Sequence, residues 1–206
     1  MKYTISAKVY NMAFGKMFKQ YLKDHPMDID IKDVLQKTKK EYKAMLERTP
    51  GLNGNFMESN LVGACWYFAL VKSCPGMTPK LLDEINEVCL NSPMMVNMHA
   101  KCRKKGLWFT DKEMEKWEKA SKLSQSSNLE MDWVFTFKHG KDNFDIDYTK
   151  CGCCRLAERE NMMEYLPCLC HLDFSKFKVK GAKLTRSCTL EKGDSHCDFH
   201  LERIQE

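Results

Sequence analysis

Trp133-Val134-Phe135-Thr136-Phe137-Lys138, then His139-Gly140-Lys141-Asp142-Asn143, then Phe144-Asp145-Ile146-Asp147-Tyr148, is the stretch on which the fold turns. Trp133, Phe135 and Phe137 alternate with Val134, Thr136 and Lys138, and the alternation resumes at Phe144, Ile146 and Tyr148. A period of two puts one set of side chains on one sheet face, and the Gly-Lys-Asp-Asn segment between the runs is turn chemistry, so the stretch predicts a β-hairpin. Downstream, a short helix is expected over about 155–166, closed by Pro167. Leu184 to Leu190 and His196 to Leu201 are expected to form a second hairpin.

Upstream of residue 128 the period is helical. Ile31, Val34, Leu35, Thr38, Tyr42, Met45 and Leu46 recur at spacings of three and four, which aligns them on one helix face. Segments 4–23, 57–73, 78–90 and 110–123 read the same way, punctuated by Pro50-Gly51, Cys74-Pro75-Gly76 and Ser92-Pro93. Thr78-Pro79 marks a helix start by proline at the first helical position, and Thr110-Asp111-Lys112-Glu113 marks one by a capping box. Residues 63–71, the most apolar window, read as a buried helix, being too short for the roughly 18 uncharged residues of a membrane span. Ser124-Gln125-Ser126-Ser127-Asn128 is a candidate hinge. The chain thus reads as one α+β domain over residues 1–206. An N-terminal helical layer (1–127) packs on a C-terminal antiparallel sheet part (128–206) built from hairpins with one intervening helix.

The 33 basic and 28 acidic residues leave a net charge of +5, a mild excess spread along helices. Lys37-Thr38-Lys39-Lys40 and Lys101-Cys102-Arg103-Lys104-Lys105 read as solvated helix faces, so neither a nucleic-acid nor a membrane partner is expected. The opening Met1-Lys2-Tyr3-Thr4 shows no basic stretch leading into an apolar run, which makes a cytoplasmic location the expectation.

In a second hairpin with a two-residue turn at Lys192-Gly193, Glu191 pairs with Asp194, Cys188 with Cys197 and Arg186 with Phe199. Leu184, Arg186, Cys188 and Leu190 then share an apolar face with Cys197, Phe199 and Leu201, while His196, Asp198 and His200 point the other way. A guanidinium left desolvated and unpaired on such a face would cost roughly several kcal/mol, so Arg186 needs an anionic partner. Asp173 and a ligand carboxylate both qualify; a buried pair that only locks the sheet is the alternative.

Seven of the eleven cysteines lie in the last 56 residues. In a reducing compartment they serve as packing residues, metal ligands or reactive thiols, not as a disulfide framework. Cys168-Leu169-Cys170-His171 and Cys151-Gly152-Cys153-Cys154 are dense in ligands, yet only Cys151 and Cys154 have the two-residue spacing of a zinc ribbon. Lone histidines such as His25, His99 and His139 read as surface or hydrogen-bonded residues.

Cys151, Cys170-His171-Leu172-Asp173, Leu184-Thr185-Arg186-Ser187-Cys188-Thr189-Leu190, Gly193-Asp194 and Cys197-Asp198-Phe199, taken in order, resemble the L-2-amino-thiazoline-4-carboxylic acid hydrolase family. The resemblance covers roughly residues 130–203. Cys188 stands where family members often carry threonine, and Cys153, Cys154 and Cys168 are additions. The resemblance implies a hydrolase that opens a small cysteine-derived heterocycle, a cyclic amidine, to a carbamoyl-cysteine, and a small-molecule substrate carrying a carboxylate. Arg186 would clamp that carboxylate, and Asp173 would hold the amidine or act as general base. Cys151, Cys170 or Cys197 would attack as a thiolate. Alternatively these three thiolates and Asp173 would hold zinc or iron, with a metal-bound water as nucleophile. A non-catalytic small-molecule or metal-binding module, with zinc or an iron–sulfur centre, stays open beside the enzyme.

Overall fold

The helical periods of the first 90 residues become four helices: α1 (Ile5–Asp24), α2 (Ile31–Arg48), α3 (Glu58–Ser73) and α4 (Pro79–Leu90). A computed structural model describes residues 1–93, 95–97, 100 and 109–205. The basic run at 101–105 and His99 lie outside the described residues. Then come α5 (Asp111–Ser124), β1 (Val134–His139), β2 (Asn143–Lys150), α6 (Gly152–Glu160), a 3-10 turn (Met163–Tyr165), α7 (Leu166–Val179), β3 (Ala182–Thr185), a second 3-10 turn (Leu190–Lys192) and β4 (Cys197–Arg203). The class is α+β. By internal contacts the chain forms two compact units, Met1–Cys89 with Gly152–Leu169, and Leu90–Cys151 with Cys170–Glu206.

In the first unit α2 buries Val34, Thr38, Tyr42, Met45 and Leu46, the stripe its spacing predicts, while Lys37, Lys39 and Lys40 stay exposed. In α3, residues Leu61, Val62, Ala64, Cys65, Trp66 and Phe68 to Val71 are buried, which explains an apolar window without periodicity. Thr78 accepts from the Leu81 amide at 3.2 Å and starts α4. The Glu160 side chain, 5% exposed, ends α6. It accepts two bonds from Arg48, at 2.7 and 2.6 Å, and one from Lys72 at 2.5 Å, and Arg48 also reaches Glu41 at 2.6 Å. Every charge in this group has a close opposite charge.

The second unit carries the sheet, four antiparallel strands in the order β1-β2-β4-β3. Thr110 caps α5 by accepting from the Glu113 amide at 3.3 Å. Phe135 pairs with Tyr148, Phe137 with Ile146 and His139 with Phe144, as the hairpin reading requires, with a bulge between Val134 and Phe135. The Ser124–Asn128 segment is no free hinge. The Phe135 amide donates to the Ser124 hydroxyl at 3.1 Å, and Gln125 donates to the Phe135 carbonyl at 2.6 Å. Trp117 of α5 packs edge-on against Phe135, with ring centroids 5.7 Å apart.

Two expectations are corrected. Pro167 does not close a helix; it sits in the first turn of α7, where the missing N–H has no intrahelical acceptor to lose. Two helices and a 3-10 turn, not one helix, therefore separate the hairpins. The second hairpin keeps the predicted register, since Leu184 pairs with Leu201 and Thr185 with His200, but its ladder stops there. The Asp198 carboxylate takes the backbone of the next residues instead, accepting from the Ser187 amide at 2.9 Å and the Cys188 amide at 2.7 Å. Asp194 accepts from the Thr189 amide at 2.7 Å, and Gly193, at φ +90°, ends the 3-10 turn in the left-handed region that glycine enters without penalty. Side-chain carboxylates thus outcompete the ladder over Arg186–His196.

The Arg48 hydrogen bond holds the Glu160 carboxyl down at about 2, against the opposing effect of burial and with further help from Lys72. A depressed carboxylate contributes stability that is present above its unfolded value near 4.3 and is lost as pH falls towards 2. Glu160→Gln should cost about 2 to 3 kcal/mol at pH 7, below the cost of breaking a fully buried pair because Arg48 and Lys72 remain partly solvated. Urea unfolding of both proteins at pH 7, 4 and 2.5 should show the difference shrinking across that interval.

Candidate functional site

Helix α7 places Cys170, Asp173, Phe174 and Phe177 at positions i, i+3, i+4 and i+7, one face of a helix. Phe177 meets Phe199 of β4 edge to face, with centroids 6.2 Å apart. That face therefore looks at the apolar side of the sheet, where Cys197, Phe199 and Leu201 are buried. Arg186 follows the last ladder pair and turns into the same space, its side chain only 6% exposed.

The guanidinium lies between two rings, with its carbon 5.1 Å from the Phe174 centroid and 5.0 Å from that of Phe199. It donates to the Cys170 carbonyl at 3.4 Å and faces the Asp173 carboxylate at 3.8 Å. Close charge-assisted bonds are about 2.7–2.9 Å, so both contacts are long. The anionic partner that Arg186 needs is Asp173. The Asp173 side chain is 27% exposed and Phe174 is 40% exposed, which makes this edge of the cluster the one open to solvent.

Two more of the expected site residues lie close to this cluster. Cys197 is buried on β4, and its sulfur accepts from the Leu190 amide at 3.2 Å. Cys151, between β2 and α6, is half-buried and lies within electrostatic reach of Cys170, Asp173 and Cys197. Cys188 lies apart from them in contact terms, with its sulfur 3.9 Å from His196 Nε2. His200 bonds Asp145 at 2.5 Å on the opposite sheet face, as the alternation of β4 requires.

Burial sets the protonation states. It pushes the Cys170 thiol well above the usual range, and Cys151 and Asp173 add to the shift while Arg186 opposes it. Cys197 is pushed up to about 11, again first by burial, with the Leu190 amide and Arg186 pulling the other way. Burial likewise raises the Asp173 carboxyl, against the pull of Lys176 and Arg186. The nearby arginine thus fails to make either thiol a resting thiolate, because desolvation outweighs it. The chemistry this favours is proton transfer by a carboxyl of raised pKa beside a fixed cation.

Among the described residues no group of three or more His, Cys, Asp or Glu side chains is arranged to hold a metal ion. The set Cys151, Cys170, Cys197 and Asp173 has the donor chemistry of a zinc or iron site without that arrangement. Two surface concavities, of about 400 Å³ beside Asp142 and Arg203 and about 620 Å³ beside Lys40 and Lys72, include no member of the Arg186 cluster.

Sequence reasoning missed Tyr148 and Phe174. Tyr148 is the cross-strand partner of Cys197, and its phenol pKa is raised by burial and then by Asp173, Cys151 and Cys197. Phe174 was visible in principle, because the Cys170, Asp173, Phe174, Phe177 stripe has helical spacing.

Residues 54–201 match the sequence profile of the L-2-amino-thiazoline-4-carboxylic acid hydrolase family. The chain belongs to that family. The match takes in all of the Arg186 cluster in this hydrolase-family chain and leaves α1 and α2 outside. No curated protein matches the chain. Among solved structures, the Fe(II) unliganded H-NOX protein from K. algicida superposes over 95% of this chain and 97% of its own, at 8% identity and a TM-score of 0.29. A likeness that low carries no argument. Among the described residues no helix is long and apolar enough to cross a membrane.

Native protein treated with iodoacetamide at pH 7.5 should retain Cys170 and Cys197 unmodified long after both react in urea. Peptide mass spectrometry reads the outcome, and rapid native alkylation of either would show that its thiolate is populated.

Proposed function

We propose that the chain is a hydrolase that opens a small cysteine-derived heterocycle, L-2-amino-thiazoline-4-carboxylate or a close relative, to a carbamoyl-cysteine. The observation that carries this reading is the loose pair of Arg186 and Asp173, a nearly buried cation 3.8 Å from a partly open carboxylate. Such a substrate is a zwitterion, with a carboxylate on one side and a protonatable amidine on the other. Inserted at the open edge, it would replace one long ion pair by two short ones. Arg186 would take the carboxylate with two N–H donors, already oriented by the rings of Phe174 and Phe199.

Asp173 would then lie beside the amidine carbon between nitrogen and sulfur. A carboxyl of raised pKa accepts a proton from attacking water and returns it to the leaving atom, which is the proton traffic ring opening needs. Half-buried Cys170 and buried Cys197, held protonated, would shape the pocket floor. Cys151, also half-buried, would border the substrate beside them.

The test is incubation of the purified full chain with the aminothiazoline carboxylate, following loss of substrate and appearance of a free-thiol product by chromatography. Asp173→Asn should lower kcat by about 10² to 10⁴-fold. Arg186→Lys should act mainly on KM, because a point charge replaces a two-pronged clamp. Binding without turnover in the wild type would make the chain a small-molecule binding module, and neither binding nor turnover would remove the substrate class.

A further inference from the structure

We infer that the Tyr148 hydroxyl is a further catalytic group for the proposed ring opening, donating a hydrogen bond to the ring sulfur as the carbon–sulfur bond breaks. The inference rests on the hydrolase reading above and adds a residue and an atom to it.

The first support is position. Tyr148 lies on central strand β2, directly across from Cys197 and three residues before Cys151. Its ring is fixed from two sides, edge-on to Phe199 at 5.2 Å and tilted against Phe135 at 5.3 Å. Phe199 is also the ring beneath Arg186, 5.0 Å from the guanidinium carbon. One phenyl group therefore sets the phenol and the carboxylate clamp relative to each other. A hydroxyl held on such a frame is pre-organised, which is what a donor to a developing charge requires.

The second support is protonation. The residue is 8% exposed, and burial followed by the charges of Asp173, Cys151 and Cys197 keeps the phenol neutral through the physiological range. Tyr148 is thus a donor there. Among the described residues no protein group accepts from its hydroxyl, so its hydrogen-bonding capacity is left for a ligand.

The third support is the substrate's own chemistry. Its polar features are the carboxylate, the amidine nitrogens and the sulfur. Arg186 matches the first and Asp173 the second, which leaves the sulfur for a neutral donor. In the balanced step, water oxygen bonds to the amidine carbon and one water proton ends on the ring nitrogen. The carbon–sulfur bond then breaks with its electron pair going to sulfur, and the remaining hydroxyl proton ends on that sulfur as the carbonyl forms. Asp173 carries the protons, and Tyr148 keeps its own while stabilising the negative charge that gathers on sulfur.

The experiment compares wild type and Tyr148→Phe, full chain, with the aminothiazoline carboxylate as substrate. Phenylalanine keeps the contacts with Phe199 and Phe135, so the melting temperature should be nearly unchanged. A lost transition-state donor should lower kcat by about 100-fold and leave KM within about two-fold. A packing role alone would move melting or KM, not kcat by itself. Site-specific 3,5-difluorotyrosine at position 148, which acidifies the phenol without removing it, should shift the alkaline limb of kcat to lower pH. Wild-type turnover with an unchanged kcat in Tyr148→Phe, or an unshifted limb in the fluorinated protein, overturns the role of Tyr148 alone. A wild type that releases no thiol overturns the hydrolase reading, and the role of Tyr148 goes with it.

Discussion

Arg186 puts a permanent positive charge on the apolar face of a four-stranded sheet, and its surroundings answer that charge. A guanidinium cannot discharge by losing its proton, so the protein has to supply rings, a carbonyl and a carboxylate. Phe199 comes from β4; Phe174, the Cys170 carbonyl and Asp173 come from one face of α7. The Asp198 carboxylate fixes Ser187 and Cys188 immediately after the arginine, which ends the β-ladder where the side chain must leave the sheet plane.

The two compact units each hold a nearly buried ion and treat it differently. Glu160 is saturated by bonds of 2.5 to 2.7 Å from Arg48 and Lys72, and its carboxyl is held down at about 2. Each charge in that group is matched by a short contact to an opposite one. Arg186 has contacts of 3.4 and 3.8 Å, and the acids near it are shifted upward. A saturated buried ion specifies structure, whereas a loosely paired one retains capacity for a small charged molecule. The same contrast separates a thiolate mechanism from one run by a carboxyl. Burial raises Cys170 and Cys197 more than a single arginine lowers them, so the conspicuous thiols rest protonated while the Asp173 carboxyl is shifted upward beside the cation.

Membership of the hydrolase family was legible in a handful of ordered residues, most of which lie within the matched stretch 54–201 and several of which contact Arg186. The pairing of Arg186 with Asp173 was legible too. An arginine placed by strand alternation among Leu184, Cys197 and Phe199 demands an anion, and Asp173 is a nearby candidate in sequence. Helix α7 was not legible. Pro167 reads as a stop when it follows an expected helix, yet the same residue is favoured in the first turn of a new one. With α7 unread, the neighbours on its inner face, chiefly Phe174, stay hidden, and Tyr148 reads only as a strand residue because its chemistry depends on what lies across the ladder.

By itself the sequence determined the helix face of α2, the capped start of α5, the first hairpin and the register of the second. These follow from side-chain periodicity and local capping, which act over a few residues. Only the tertiary structure decided that the second ladder stops at Thr185, that Cys170, Asp173 and Cys197 come within reach of one guanidinium, and that the Cys170 and Cys197 thiols there stay protonated. Those outcomes depend on desolvation and on charges brought together from distant segments, and neither quantity exists until the chain has folded.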